Sequence, residues 1–310
     1  MSSIKIVTDS TAYLPLELVA GHDIRVVPLK VQFGKESYVE GVDITNTRFY
    51  QELAQASTIP TTSQPSVRDF LEVYDELARR GHPVLSIHIS SELSGTVSSA
   101  LTARNRMPNA KIEVVDSLSA AMGLGMMALT AARDAGKGHS LPEIKAHVAK
   151  LTQSMIVLFV VDTLKYLPEG GRIGRASALV GSLLNINSIL CCLKDGRVEV
   201  LAKIVTRGRA LKRLLELMDE RVAAGTPVHV AVMHAQAADE AWALEREIRS
   251  RFNCAEVYFS ELGPVIGAHV GPGTVGLAFY GEQGAVGVPL PEHQRVPTNK
   301  ALTALAGDMP

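Results

Sequence analysis

Residues 83–104 read PVLSIHISSELSGTVSSALTAR, and the change of character inside this stretch decides the fold class. An alternating apolar run, 84–89, stops at a cluster of hydroxyls: Ser90, Ser91, Ser94 and Thr96. A helical pattern then runs from about Leu93 to Arg106. A strand that breaks into polar residues and restarts as a helix is one unit of a parallel sheet with crossover helices. The junction also turns backbone N–H groups and hydroxyls toward one point, which suits a small anion. Hydroxyls cap helices for purely structural reasons as well, so both uses stay open.

The same unit recurs along the chain. The strand at 4–7 runs into Thr8-Asp9-Ser10, and the strand at 112–115 into Asp116-Ser117. Val67, Phe70, Leu71, Tyr74, Leu77 and Ala78 form an i, i+3/i+4 stripe, predicting a helix with Pro65 in its first turn and Ser63 as one candidate N-cap. Helices are predicted at 122–132, rich in small residues, and at 141–151. The second half offers a strand at 156–161, a glycine-rich turn at 169–174, and a helix at 176–184. Strands at 188–194 and 197–204 flank Asp195-Gly196, a two-residue hairpin signal. A helix at 209–222, strand at 228–233, helix at 237–252, strand at 256–260 and a closing segment at 263–279 follow. The expected fold is α/β with two α/β domains, 1–154 with a largely parallel sheet and 155–286. Residues 287–310, with four prolines, are expected to be a peripheral tail.

Composition sets bounds. The 310 residues are 46% hydrophobic and 20% charged, with a net charge of −1. That describes a globular chain without bulk attraction for nucleic acid or acidic membranes. No signal-peptide order opens the sequence, and the apolar run 155–161 is far too short for a bilayer of about 30 Å. Cys191, Cys192 and Cys254 cannot all pair and lack metal-ligand spacing. Buried reduced thiols in a cytoplasmic protein are expected, with Cys191 and Cys192 on opposite faces of a strand.

Candidate chemistry gathers in few places. In open parallel sheets, ligands bind beyond the carboxyl ends of the strands. Thr61-Thr62-Ser63-Gln64-Pro65-Ser66 places four hydroxyls before a helix that needs one cap. Capping accounts for one, which leaves Thr61 or Thr62 free for other work. Gly170-Gly171-Arg172 carries a bidentate cation on a turn whose glycines let the backbone pass close to a neighbour. His269 precedes Gly271-Pro272-Gly273-Thr274, a turn able to fix an imidazole in space. The basic run 203–213, with Arg207, is either a solvated face or a docking site for an acidic partner or phosphate. There is no GxxxxGK[ST], GxGxxG after the first strand, HExxH or GxSxG motif.

Together, IKIVTDSTAYLP at 4–15, IPTTSQPS at 59–66, HISSELSGTVSSA at 88–100, KYLPEGGRIG at 165–174 and HVGPGTVGLAFY at 269–280 resemble the DegV family. Its members include the FakB subunit of bacterial fatty acid kinase. The resemblance implies two α/β domains with a ligand tunnel between them, holding one long-chain fatty acid and no other cofactor. It implies a carboxylate site of Thr62, Ser94, His269 and Arg172, and contact between Arg207 and a separate fatty acid kinase catalytic subunit. A transient membrane contact belongs to the same picture, because the acyl phosphate feeds phospholipid synthesis. Asn187-Ser188 departs from the family, which often has a lysine-proline pair there. The competing readings are a serine esterase or acyltransferase using Ser94 and His269, and a lipid sensor.

Overall fold

The computed structural model describes residues 3–172 and 187–282. The first part contains β1 (Lys5–Asp9), α1 (Leu16–Gly21), β2 (Arg25–Val27), β3 (Lys30–Phe33), β4 (Glu36–Val39), α2 (Asn46–Gln55) and β5 (Thr61–Ser63). It continues with α3 (Val67–Arg79), β6 (Val84–His88), α4 (Thr96–Asn105), β7 (Ile112–Asp116), α5 (Met122–Gly136) and α6 (Leu141–Ser154). Then come β8 (Ile156–Val161), α7 (Tyr166–Glu169), β9 (Asn187–Cys192), β10 (Val198–Ile204), α8 (Arg207–Asp219), β11 (Val228–His234), α9 (Ala238–Arg251), β12 (Cys254–Glu261), α10 (Pro264–Val270) and β13 (Val275–Gly281).

The first sheet, β2-β1-β6-β7, is parallel throughout, as the repeated strand–hydroxyl–helix unit requires. Strand alternation sorts its two faces. Val84 joins Phe70, Tyr74 and Ala100 under α3 and α4, while Leu85 and Ile87 face α5. The second sheet, β10-β9-β8-β13-β11-β12, is mixed, with β11 and β12 its parallel pair. One face packs Leu158, Val232 and Phe279 on α8 and α9; the other turns Val157, Phe159 and Met233 toward α5. Helix α5 is therefore enclosed from both sides, and eleven of its fifteen residues are buried. Its small, apolar composition has that physical reason: a helix without a polar face has no solvent side.

Several expectations are corrected. A third sheet, β4-β3-β5, is antiparallel and includes Thr61–Ser63, so Ser63 is a strand residue and not a cap. Ser66 caps α3 through a capping box with Asp69, which leaves Pro65 ahead of the helix. Helix α4 begins at Thr96, not near Leu93, and no side chain caps it. Helix α2 was not anticipated; its signal is Thr45 as cap with Phe49, Tyr50 and Leu53 on one side. Cys191 is buried, but Cys192 and Cys254 are only partly so; Cys191 and Cys192 do face opposite cores. Asn187 and Ser188 open β9 in register with Ile204 and Lys203. The expected helix at 176–184, the end of the glycine-rich turn and the tail 287–310 lie outside the described residues.

The hairpin between β9 and β10 closes on three residues, not two. Gly196 N–H donates to Leu193 O (2.9 Å) and Leu193 N–H to Arg197 O (2.7 Å), with Gly196 at φ +87°. This is a turn with a glycine bulge. Its tip lies on the first part of the chain: the Ser90 hydroxyl donates to Gly196 O at 2.9 Å, and Arg197 pairs with Glu92 at 2.8 Å. A Cβ at Gly196 would come within 2.2 Å of Ser90 Oγ. Gly196→Ala should therefore destabilise the protein by about 2 kcal/mol in urea unfolding; an unchanged midpoint would refute this docking.

Among the described residues, no helix is long and apolar enough to cross a membrane.

Candidate functional site

The inner face of the mixed sheet does not close completely against α10, β5 and the β6–α4 junction. A cavity of about 300 Å³ remains. Val157, Phe159 and Met233 line it from the mixed sheet, Ile89 and Leu93 from the β6–α4 junction, and Val265, Ile266 and Val270 from α10. Its size and mostly apolar walls with a few polar groups are those of a small-molecule pocket.

Four polar residues expected from the sequence line this one cavity: Thr62, Ser94, Arg172 and His269. Thr62 sits on edge strand β5, and its Oγ1 lies 2.8 Å from His269 Nε2. Ser94 precedes the uncapped α4, with Oγ 2.8 Å from Thr96 Oγ1. Arg172 donates through Nε to Leu93 O at 3.0 Å and through Nη1 to Gly170 O, so two carbonyls aim the guanidinium. The neighbour that the Gly170 backbone approaches is His269: a Cβ there would lie 2.1 Å from its Nδ1.

Gln64 was missed by sequence reasoning. Its Nε2 donates to Gly95 O (3.1 Å) and Ser99 Oγ (3.0 Å), tying the Thr62 strand to the Ser94 loop. Nothing local marks it, because both partners lie more than thirty residues away.

Electrostatics favour a neutral imidazole. Burial first, and the Arg172 charge second, hold His269 down at about 4. Its Nδ1 is buried with no hydrogen-bond partner among the described residues. A depressed histidine contributes stability that is present above its unfolded value near 6.5 and lost as pH falls through 4. In labelled-histidine NMR, His269 is expected to titrate near 4; a midpoint at 6 or above would contradict the buried neutral ring.

Two hydroxyls, a neutral imidazole and one anchored cation at an apolar cavity can hold a small anion with an apolar tail. They do not pair Ser94 with His269 as nucleophile and base. His269 Nε2 bonds to Thr62 and Ser94 Oγ to Thr96, whereas an esterase needs the serine on the histidine. No group of three or more ligands that could hold a metal occurs among the described residues.

Arg207 is not in the cavity. It pairs with Asp162 at 3.2 Å and Glu240 at 2.6 Å and donates to Gly273 O, on the turn that follows His269.

Fold and cavity together define a class: two-domain α/β proteins that enclose an apolar pocket with a polar end. The chain belongs to the DegV family, whose model, described as uncharacterised protein, DegV family, matches residues 3–282. It is 38% identical to protein DegV of Bacillus subtilis over 279 residues, 89% of this chain and 99% of that one. A DegV domain-containing protein of Streptomyces coelicolor is 42% identical over 276 residues, covering 88% of this chain and 97% of the relative. Among solved structures, a fatty-acid-binding DegV family protein from Thermus thermophilus matches with TM-score 0.84 and 37% identity, over 90% of this chain and 99% of that one. Bacillus subtilis DegV, solved as a fatty acid binding protein, matches with TM-score 0.82 and 35% identity, over 91% and 100%.

Proposed function

We propose that this protein is a carrier: it holds one long-chain fatty acid in the cavity and presents the carboxylate to a separate ATP-dependent kinase. The observation that carries the reading is the convergence of Thr62, Ser94, Arg172 and His269 on one apolar cavity. The tail supplies affinity. About 0.8 kcal/mol per buried methylene gives roughly 12 kcal/mol gross for about fifteen, part of which is lost in immobilising the chain. The head groups supply orientation, since neutral hydroxyls and one fixed guanidinium can hold a carboxylate without reacting with it. The kinase step places a carboxylate oxygen on the γ-phosphorus of ATP and releases ADP, giving an acyl phosphate for phospholipid synthesis. The sequence carries no nucleotide motif, which is why the chemistry is assigned to a partner.

In this reading the protein is cytoplasmic and touches membranes transiently, and the two domains are 1–154 and 155–286. Arg207 meets the kinase as part of a charged cluster with Asp162 and Glu240, beside the turn behind His269.

The test is extraction of the purified, denatured protein for mass spectrometry. A long-chain fatty acid is expected. Finding none, with no uptake of added oleate or palmitate, would sink the reading. ADP release from ATP and oleate by this protein alone would make it an enzyme instead.

A further inference from the structure

Helix α10 carries four cavity-lining residues, Val265, Ile266, His269 and Val270, yet it has no cap of its own. Its N-cap is Gly263, which has no side chain to offer, and its first helical residue is Pro264, which has no N–H. The next two amides are satisfied from more than 220 residues away. Val265 N–H donates to Glu40 Oε1 at 2.7 Å, and Ile266 N–H to the Tyr13 hydroxyl at 3.0 Å. Tyr13 in turn donates to Glu40 Oε1 at 2.9 Å, and Ser10 Oγ to Glu40 Oε2. Ser10 is itself fixed by Leu29 N–H at 3.0 Å. The fit leaves no slack: a Cβ on Gly263 would lie 2.6 Å from Tyr13 Cε1 and 2.9 Å from Glu40 Oε1.

Glu40 follows β4, and Thr62 lies on β5 of the same small sheet. That sheet therefore grips α10 at both ends, through Glu40 at its start and through Thr62 on His269 near its finish. With seven residues the helix is only about 10 Å long, so a shift at one end is carried to the other.

We propose that Glu40 and Tyr13 are positioning residues for the polar end of the cavity, setting His269 against Thr62 by capping α10 across the domain interface. As a statement about ligand binding, this rests on the fatty-acid reading above. The carboxylate is 5% exposed and receives three donors, so its hydrogen bonds are arranged for the ionised form. Burial opposes ionisation and lifts the Glu40 carboxyl to about 7. The ionisable groups facing it are Asp9 and Tyr13, with Tyr50 on α2 and, beyond that ring, Glu261 on β12.

The experiment compares the full chain with its Glu40→Gln and Tyr13→Phe variants, ligand-free and loaded with oleate. In the ligand-free variants the His269 imidazole resonances are expected to move, and its titration midpoint to rise from about 4 toward 6.5 as the ring becomes wetter. Oleate retention is expected to weaken about tenfold, the loss of one well-made hydrogen bond. A raised carboxyl contributes stability that is full below its unfolded value near 4.5 and lost as pH rises through 7. Wild type minus Glu40→Gln should show that fall. Folded variants with an unmoved His269 resonance and midpoint would overturn the proposal. So would oleate binding at wild-type strength despite a moved imidazole. If the wild type takes up no oleate while the imidazole moves, the positioning stands and the fatty-acid reading fails. Should Glu40→Gln not fold, Tyr13→Phe, which deletes one hydroxyl, decides.

Discussion

Replacing Thr62 by Val and Ser94 by Ala together is expected to weaken retention of a long-chain fatty acid by roughly 10²–10⁴-fold. Each hydroxyl bonded to a carboxylate contributes about 1.5–3 kcal/mol, and every 1.4 kcal/mol is a factor of ten. Both side chains line the cavity, and neither belongs to the apolar core, so the fold should survive. The threonine replacement keeps the shape of the side chain but removes the partner of His269 Nε2, adding an unpaired ring nitrogen to the loss. The measurement is displacement of a fluorescent fatty acid by oleate, with thermal unfolding as control. A loss below tenfold, in a protein that binds oleate, would place the carboxylate elsewhere.

The largest expected effect on stability comes from Asp9→Ala. Asp9 is fully buried at the end of β1. Its carboxyl accepts from Thr11 N–H (3.1 Å), Ile89 N–H (2.9 Å) and His88 Nδ1 (3.0 Å). His88 passes the chain on to Ser86 Oγ at 2.6 Å, and Tyr74 closes it by donating to Ser86 at 2.7 Å. Deleting the carboxyl orphans an imidazole, two amides and the Thr11 hydroxyl in the buried interior, where breaking one buried partnership costs about 3–5 kcal/mol. A fall in Tm on the order of 10 °C follows. Asp9→Asn keeps an acceptor and should lose less. Because Ile89 leads into the Ser90–Ser94 loop, the alanine variant should also loosen ligand binding. A loss under 1 kcal/mol in urea unfolding would show that the network contributes little.

Asp9 illustrates how far the sequence could be read. Its place after the first strand marked a capping or ligand position, and it does accept from Thr11 two residues on. Its bonds to His88 and Ile89 depend on β1 lying beside β6 in parallel, a pairing between segments nearly eighty residues apart. Ser90 behaves likewise: its role against Gly196 is fixed by a hairpin more than a hundred residues later. Arg172, His269 and the hydroxyl clusters that hold Thr62 and Ser94 were visible as unusual local chemistry, with the choice of Thr62 and Ser94 coming from the family resemblance, whereas Gln64, Glu40 and Tyr13 carried no such mark. An amide, an acid and a phenol in loops carry no local signature when every partner is distant.

Alternating and 3.6-residue hydrophobic periods, turn glycines and cap residues were enough for the sequence by itself to determine most strands and helices, the parallel first sheet and the residues worth watching. These are local properties, set by the backbone and the side chains a few residues away. The cavity, the link between Thr62 and His269 across 207 residues, and the capping of α10 by Glu40 and Tyr13 arise only in the tertiary structure. The mixed sheet, edge strand β5, the loop after β6 and one short helix must be brought together before a buried polar group meets the partner that satisfies it.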